Sequence, residues 1–240
     1  MEGGLEKEIQ IDSRNPEEDK LELRFDANEL EEIFKDEEFN PEKLVLLLER
    51  QYPGIYERGT GVWEGYTLGQ HTLTVMRQFE KYFGNKPLPA GIDRNKFRLV
   101  LALHDIGKPE AIEKGGKHLQ HEYTRQYIQK LFDALGIDKE FTDSIFVLIL
   151  GDPMGKFLRK EMNIFEMREA IEKMADKAKM PVKDFFELLC IYFKLDAGSY
   201  TEHGGGIRSL DDLFDFDEET NNLNFAPHVQ ERIDQLGFNK

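Results

Sequence analysis

A histidine and an aspartate, His104 and Asp105, stand side by side directly after the apolar run 99–103. The run has helical spacing, which predicts a buried helix that ends near the pair. Gly107 is expected to cap this helix with a positive φ, and Pro109 to prevent its continuation. An imidazole and a carboxylate are costly to bury there without a partner. A metal ion that takes both as ligands would supply one; the alternative is a direct hydrogen bond between them without an ion.

The segment His104-Asp105-Ile-Gly-Lys-Pro resembles the signature of the HD superfamily of metal-dependent phosphohydrolases. In that family an upstream histidine and a distant downstream aspartate accompany the doublet, and His71 and Asp196 stand in these places here. The resemblance extends over roughly residues 60 to 200 and includes order, spacing and local context. It implies a helical fold and metal-assisted hydrolysis of a phosphoester, and it names no substrate.

The two distant residues also have simpler interpretations. A histidine on the apolar face of a helix, as His71 is, is more often a hydrogen-bonded core residue, and Asp196 at a helix end would ordinarily face water. The doublet favours a ligand role for His71, and the resemblance favours one for Asp196. With His104 and Asp105 they would supply two imidazoles and two carboxylates, which suit Mn, Fe, Co, Ni, Zn or Mg. A five- or six-coordinate ion would also activate a water molecule as the nucleophile and polarise a phosphoryl oxygen.

Phosphoryl transfer also needs positive charge around the equatorial phosphate oxygens. Lys108, beside the doublet, is the first candidate for this role, and Asp105 is expected both to ligate the ion and to orient the attacking water. His121 is the third catalytic candidate, because HD proteins often place a His-Glu pair at the head of the following helix. Lys117 and Arg58 are further candidates for binding substrate, although each considered alone is typical of a solvated surface cation.

A second ion would have to depend on His121 and Asp152. Two-metal members of the family usually carry another histidine near this place, and the chain has none between His121 and His203. Asp152 is either an oxygen ligand in its stead or a turn residue before proline. We therefore expect one tightly bound ion per chain. Two alternatives stay open: a di-iron-type oxygenase of the HD fold, which needs more histidines, and a non-catalytic regulatory domain stapled by its metal.

The composition limits the partners. The chain has 240 residues, 40% of them hydrophobic, and a formal net charge of −15. This acidity argues against long nucleic acid, whereas a metal ion and local cations can still accept a small phosphorylated substrate. The single Cys190 gives no disulfide framework. The sequence has no apolar run near the ~20 residues of a membrane span and no signal-peptide pattern at its start, so we expect a cytoplasmic protein without membrane contact. The oligomeric state is left open.

The chain as a whole predicts an all-α fold. We expect a single HD-like helical bundle over 25–205, a flexible acidic arm over 1–24 before it, and a C-terminal helical extension over 206–240 packed on it. Periodicity and punctuation predict helices over 26–34, 41–49, 68–82, 94–106, from 118, 141–150, 162–179, from 181 to 195, and 227–236.

The remaining segments are predicted as connections. Residues 53–65 and 110–117 are expected to be loops, the second of them over the site. Phe165, Ile171 and Met174 are expected to face inward from the helix over 162–179. The acidic segment 211–219 is expected to form a solvated surface with inserted apolar anchors, and no strand longer than a few residues is predicted.

Overall fold

Helices make up most of the computed structural model, which describes residues 21–61, 65–201, 203–204 and 208–238. The prediction of a mostly helical fold is confirmed. The predicted arm lies outside the described residues as far as residue 20. The α-helices of the described part are α1 (Ala27–Lys35), α2 (Pro41–Gln51), α3 (Leu68–Phe83), α4 (Arg94–Leu103), α5 (Lys108–Lys114), α6 (Gln120–Ala134), α7 (Lys139–Ile149), α8 (Pro153–Leu158), α9 (Ile164–Ala178), α10 (Val182–Gly198) and α11 (Pro227–Asp234).

Helix α3 begins at a capping box and points one face into the core. The Thr67 side chain accepts a hydrogen bond from the Gln70 backbone N–H, and the Gln70 side chain accepts one from the Thr67 N–H. The buried side chains that follow recur every three or four positions, as Leu68, His71, Val75 and Phe79. His71 therefore lies on the core side of the helix.

Helices α3, α4 and α10 form the centre of the bundle. α3 packs against both α4 and α10, and α10 is also covered by α8 and α9. Phe79, Phe97 and Leu195, one from each central helix, are fully buried. This arrangement brings the end of α4 and the last turn of α10 to the first turn of α3.

The segment after the His-Asp doublet is a tight turn and a new helix. Gly107 has φ −80°, so the expected positive φ is wrong. A glycine is needed because a Cβ atom there would overlap the Thr124 backbone nitrogen of α6. Pro109 stands in the first turn of α5, where no N–H is required, and does not act as a stop. The predicted loop over 110–117 is therefore mostly helical.

A β-hairpin follows α10, where helix and a solvated acidic surface with inserted apolar anchors were expected. Its strands are β1 (Phe214–Asp217) and β2 (Asn222–Phe225), antiparallel, with Phe214 opposite Phe225. The strands alternate apolar and polar residues, and Phe214, Leu223 and Phe225 are buried against the bundle. The short helix predicted over 227–236 is confirmed as α11.

One core assignment on α9 is wrong. Ile171 is fully buried, but Phe165 is 83% exposed. The buried face of α9 follows Met167, Ile171 and Ala175, and Phe165 lies two residues before Met167, about 200° around the helix axis. None of the helices in the described part of the chain has the length and apolarity needed to cross a membrane.

Candidate metal centre

Four predicted donors converge at the centre of the bundle. His71 comes from α3, His104 and Asp105 from the end of α4, and Asp196 from the last turn of α10. One ligand atom from each of them lies within 4.8 Å of the others. The two imidazoles are almost fully buried, and the Asp196 side chain is 38% exposed, so the group is open on the side of Asp196. Such a cluster could hold a metal ion.

The Nε2 atom of His71 lies at the middle of the group. It is 3.1 Å from His104 Nε2, 3.3 Å from Asp105 Oδ2 and 3.2 Å from Asp196 Oδ1. His104 Nε2 lies 3.8 Å from the same Asp105 oxygen and 3.7 Å from the same Asp196 oxygen. Two nitrogens and two oxygens therefore face a common point.

The opposite nitrogens of both rings are already engaged. His104 Nδ1 lies 2.7 Å from the carbonyl oxygen of Leu101, which can only accept, so this nitrogen carries the proton. His71 Nδ1 lies 3.1 Å from Ser199 Oγ, and that hydroxyl donates its own proton to the Asp196 carbonyl oxygen at 2.6 Å. His71 Nδ1 must then be the donor. In the neutral rings both Nε2 atoms present lone pairs to the centre.

One proton on His71 Nε2 cannot form good hydrogen bonds with all of the acceptors around it. If His71 Nε2 were protonated, its one N–H would face three acceptors at 3.1 to 3.3 Å, namely His104, Asp105 and Asp196. A divalent ion accepts lone pairs from all four groups at once, and a mixed nitrogen and oxygen set suits such an ion. The donor chemistry of the centre therefore fits a metal.

The charges around the centre also favour a cation. Burial alone lowers the pKa of His71, but the hydrogen bonds and charges of Asp105 and Asp196 outweigh it and raise the pKa above its usual value. Burial raises the pKa of both carboxyls, yet Lys108 and the two histidines hold the pKa of Asp105 well below its usual range, and the histidines do the same for Asp196. Both carboxylates are ionised at neutral pH.

Asp105 is held at both of its oxygens. Lys108 Nζ donates to Oδ2 at 2.8 Å, and Gln120 Nε2 donates to Oδ1 at 2.7 Å. Lys108 is the first residue of α5 and follows Asp105 by three positions in the sequence. The turn at Gly107 brings its side chain back to the Asp105 carboxylate. Gln120, the first residue of α6, carries no signal in the sequence beyond its position beside the predicted His121.

Tyr200 covers the centre from the end of α10. Its ring stacks on the His71 ring with centroids 4.8 Å apart and planes inclined by 24°. Its hydroxyl lies 3.5 Å from Lys108 Nζ. Ser199 and Tyr200 both follow Asp196 in the matching segment of the sequence, but neither was assigned a role there, because contacts across the bundle leave no spacing pattern in a single chain.

A cavity of about 570 Å³ opens beside the centre. Asp105, Lys108, Gln120 and Asp196 stand on its wall, so the exposed side of the cluster faces it. His121 also lines the cavity. Any small molecule in this cavity would lie next to the four donors.

His121 and Asp152 do not join the donor group. Among the described residues, the set of converging ligand atoms contains neither of them, although both line the cavity. Asp152 caps α8 through a 2.8 Å hydrogen bond from Gly155 N–H to Oδ1, and Arg159 contacts its other oxygen at 3.2 Å. These contacts are those of a turn residue before a helix.

The two remaining substrate candidates lie elsewhere. Arg58 forms an ion pair with Glu113 of α5 and lines a separate cavity of about 520 Å³ near Tyr52 and Lys130. Lys117 is exposed in the 3-10 turn Lys117–Leu119 and does not line the cavity beside the centre. The structure therefore brings neither of them to the donor group.

Comparisons of this chain with protein-family models, with curated proteins and with solved structures find no significant match. The interpretation of the centre consequently depends on its own geometry and chemistry.

Proposed function

We propose that this protein is a metal-dependent phosphohydrolase that cleaves a nucleotide or another small phosphoester with metal-activated water. The observation that carries the proposal is the donor group itself. Four ligand atoms with lone pairs converge, and one shared proton cannot form hydrogen bonds with all of them. The group lies on the wall of a cavity that is large enough for a small substrate. His71, His104, Asp105 and Asp196 would hold the ion, which would be Mn, Fe, Co, Ni, Zn or Mg.

When bound, a divalent ion supplies Lewis acidity for a phosphoryl oxygen and lowers the pKa of water. The surrounding residues keep the ligands in place. Ser199 and the Leu101 carbonyl hold the rings of His71 and His104 with Nε2 directed inward. Gln120 holds the outer oxygen of Asp105.

Lys108 supplies positive charge at the cavity wall. Its ammonium group is largely buried beside Asp105, and a charge in a site that excludes water stabilises a neighbouring phosphoryl group more than a solvated charge does. The Tyr200 hydroxyl lies 3.5 Å from this ammonium, so an O–H and an N–H group meet at one point of the wall. We assign this pair to the equatorial oxygens of the transferring phosphoryl group.

The test is phosphate release from a panel of nucleotides, cyclic nucleotides and simple phosphomonoesters, with the protein loaded in turn with each of the six metals. We expect turnover that depends on the metal and is lost in Asp105→Asn. Asp143→Ala is the matched control, because Asp143 is an exposed aspartate of α7 that pairs with Lys139 and does not line the cavity. Circular dichroism confirms that each variant is folded. No phosphate release with any metal would contradict the proposal and favour an ion with a structural role.

A further inference from the structure

The cavity beside the metal centre has a polar end and an apolar wall. Its polar end is formed by Asp105, Lys108 and Gln120. The apolar wall consists of side chains from the end of α7, from α8, from α10 and from the segment before β1: Ile149, Leu158, Leu189, Phe193 and Leu213. A substrate whose phosphate lies at the polar end therefore meets these apolar side chains, as well as polar ones, in the rest of the cavity.

The charge of the lining limits how much phosphate the cavity can accept. Asp105, Asp152, Asp196 and Asp212 face it, against the cations Lys108 and Arg159. Both of these cations already contact carboxylates, at 2.8 and 3.2 Å. A divalent ion would cancel the two remaining negative charges. One phosphate group can then be bound, whereas a triphosphate would add further anionic groups without another lysine or arginine among the described lining residues.

The apolar wall limits the other part of the substrate. A sugar that carries several hydroxyl groups would lose hydrogen bonds to water wherever it covers these side chains. An aliphatic or aromatic group would instead displace water from the wall. Leu189 is 2% exposed and Phe193 is packed against Phe214 and Phe225, so the wall is backed by the core and is rigid.

From these features we infer that the cavity selects a phosphomonoester whose alcohol side is apolar or aromatic, in preference to a sugar phosphate or a polyphosphate. The inference rests on the proposed hydrolase function in so far as it assumes that the ester bond is cleaved. The selectivity itself depends only on the cavity and can be measured by binding.

The binding test compares phenylphosphonate with methylphosphonate by calorimetry on the Mn²⁺-loaded protein. Both carry the same anionic head and neither has an ester bond to cleave. We expect phenylphosphonate to bind about tenfold tighter or more, because only its ring can cover the apolar wall. Leu158→Gln should reduce this ratio to below about threefold. Leu158 is half-buried on the short helix α8, and Leu46→Gln is the control, since Leu46 is 65% exposed on α2 and does not line the cavity. Equal affinities in the wild-type protein would overturn the inference.

The turnover test uses benzyl phosphate, glycerol phosphate and inorganic triphosphate under identical conditions. Benzyl and glycerol phosphate both release an alkyl alcohol, and we expect the highest kcat/KM for benzyl phosphate. Equal or higher values for the other two would overturn the inference and leave the proposed hydrolysis intact. Absence of turnover with all three would count against the hydrolysis instead, and the ratio of the phosphonate affinities would then decide the selectivity of the cavity by itself.

Discussion

The Nε2 atoms of His71 and His104 lie 3.1 Å apart, and the Nδ1 atom of each ring donates its proton away from the other ring. In the neutral rings two lone pairs therefore face each other in the core, with the carboxylates of Asp105 and Asp196 beside them. Lone pairs at this distance repel unless a cation lies between them.

The first prediction concerns the number of ions. After extensive dialysis we expect one tightly bound ion per chain in the wild type and in His121→Ala, because the donor group is complete without His121. Elemental analysis of both proteins measures the ratio. Two ions in the wild type that fall to one in His121→Ala would show instead that a second site exists beside Asp152.

The second prediction concerns metal removal. A chelator should lower the midpoint of thermal unfolding, because the buried lone pairs lose their common partner. Re-addition at about one hundred times the dissociation constant should raise the free energy of unfolding by about 2.7 kcal/mol. Asp143→Ala, altered on the surface of α7, should show the same gain, and His104→Ala should show little of it. A midpoint of thermal unfolding that changes neither with chelator nor with added metal would rule out a metal centre.

The third prediction concerns Lys108. Lys108→Ala should lower kcat/KM for a phosphoester by about 100-fold while metal content is retained, because an ammonium group has no lone pair for an ion. The control is Lys117→Ala, which changes an exposed lysine away from the cavity and should leave kcat/KM unchanged. Loss of the ion in Lys108→Ala would mean that this residue maintains Asp105 and not the phosphoryl group.

The fourth prediction concerns the orientation of His71. Ser199→Ala removes the acceptor of its Nδ1 proton, so the affinity for the metal should fall by about 10- to 100-fold. Thr201→Ala is the matched control: it removes another buried hydroxyl from the same segment, one that donates to Gly198 and does not touch the ring. A competitive chelator titration gives both affinities. Equal losses in the two variants would assign the effect to packing.

The fifth prediction concerns the turn before α5. Gly107→Ala should lower the free energy of unfolding by about 1 to 3 kcal/mol, because the new methyl group meets the backbone of α6 at Thr124. Gly59→Ala provides the comparison, since a Cβ atom there has no neighbour within 4 Å and the backbone is not in the left-handed region. Chemical denaturation compares the two. A tolerated Gly107→Ala would show that α6 can move away from the turn.

The sequence predicted the direction of a side chain correctly where the periodicity of a single helix determines that direction. His71 falls on the apolar face of α3, and the run before His104 ends in the core, so periodicity alone directs both rings inward. That Asp196 meets them was expected only from the resemblance, because nothing local to α10 indicates which helix it approaches. The proximity of these donors is observed, whereas their role as ligands stays a prediction.

The predictions of secondary structure were wrong where a residue type or a short pattern is compatible with two structures. Proline both stops helices and opens them, and at Pro109 the second use applies because the chain has already turned at Gly107. In the hairpin, the alternation of Phe214 and Phe216 with aspartates is too short to distinguish from an acidic surface. Gln120 was missed for a different reason: its partner Asp105 is reached through tertiary packing of α6, which no periodicity encodes.

The hydrogen bond between His71 and Ser199 joins residues 128 positions apart. Closing a loop of this length costs conformational entropy, which the packing of α10 on α3 must offset. The hydrogen bond that selects the Nδ1–H tautomer of His71 therefore forms only when these two helices lie together. If the proposed ion binds, tight metal binding during refolding would report that the two ends of the bundle have met.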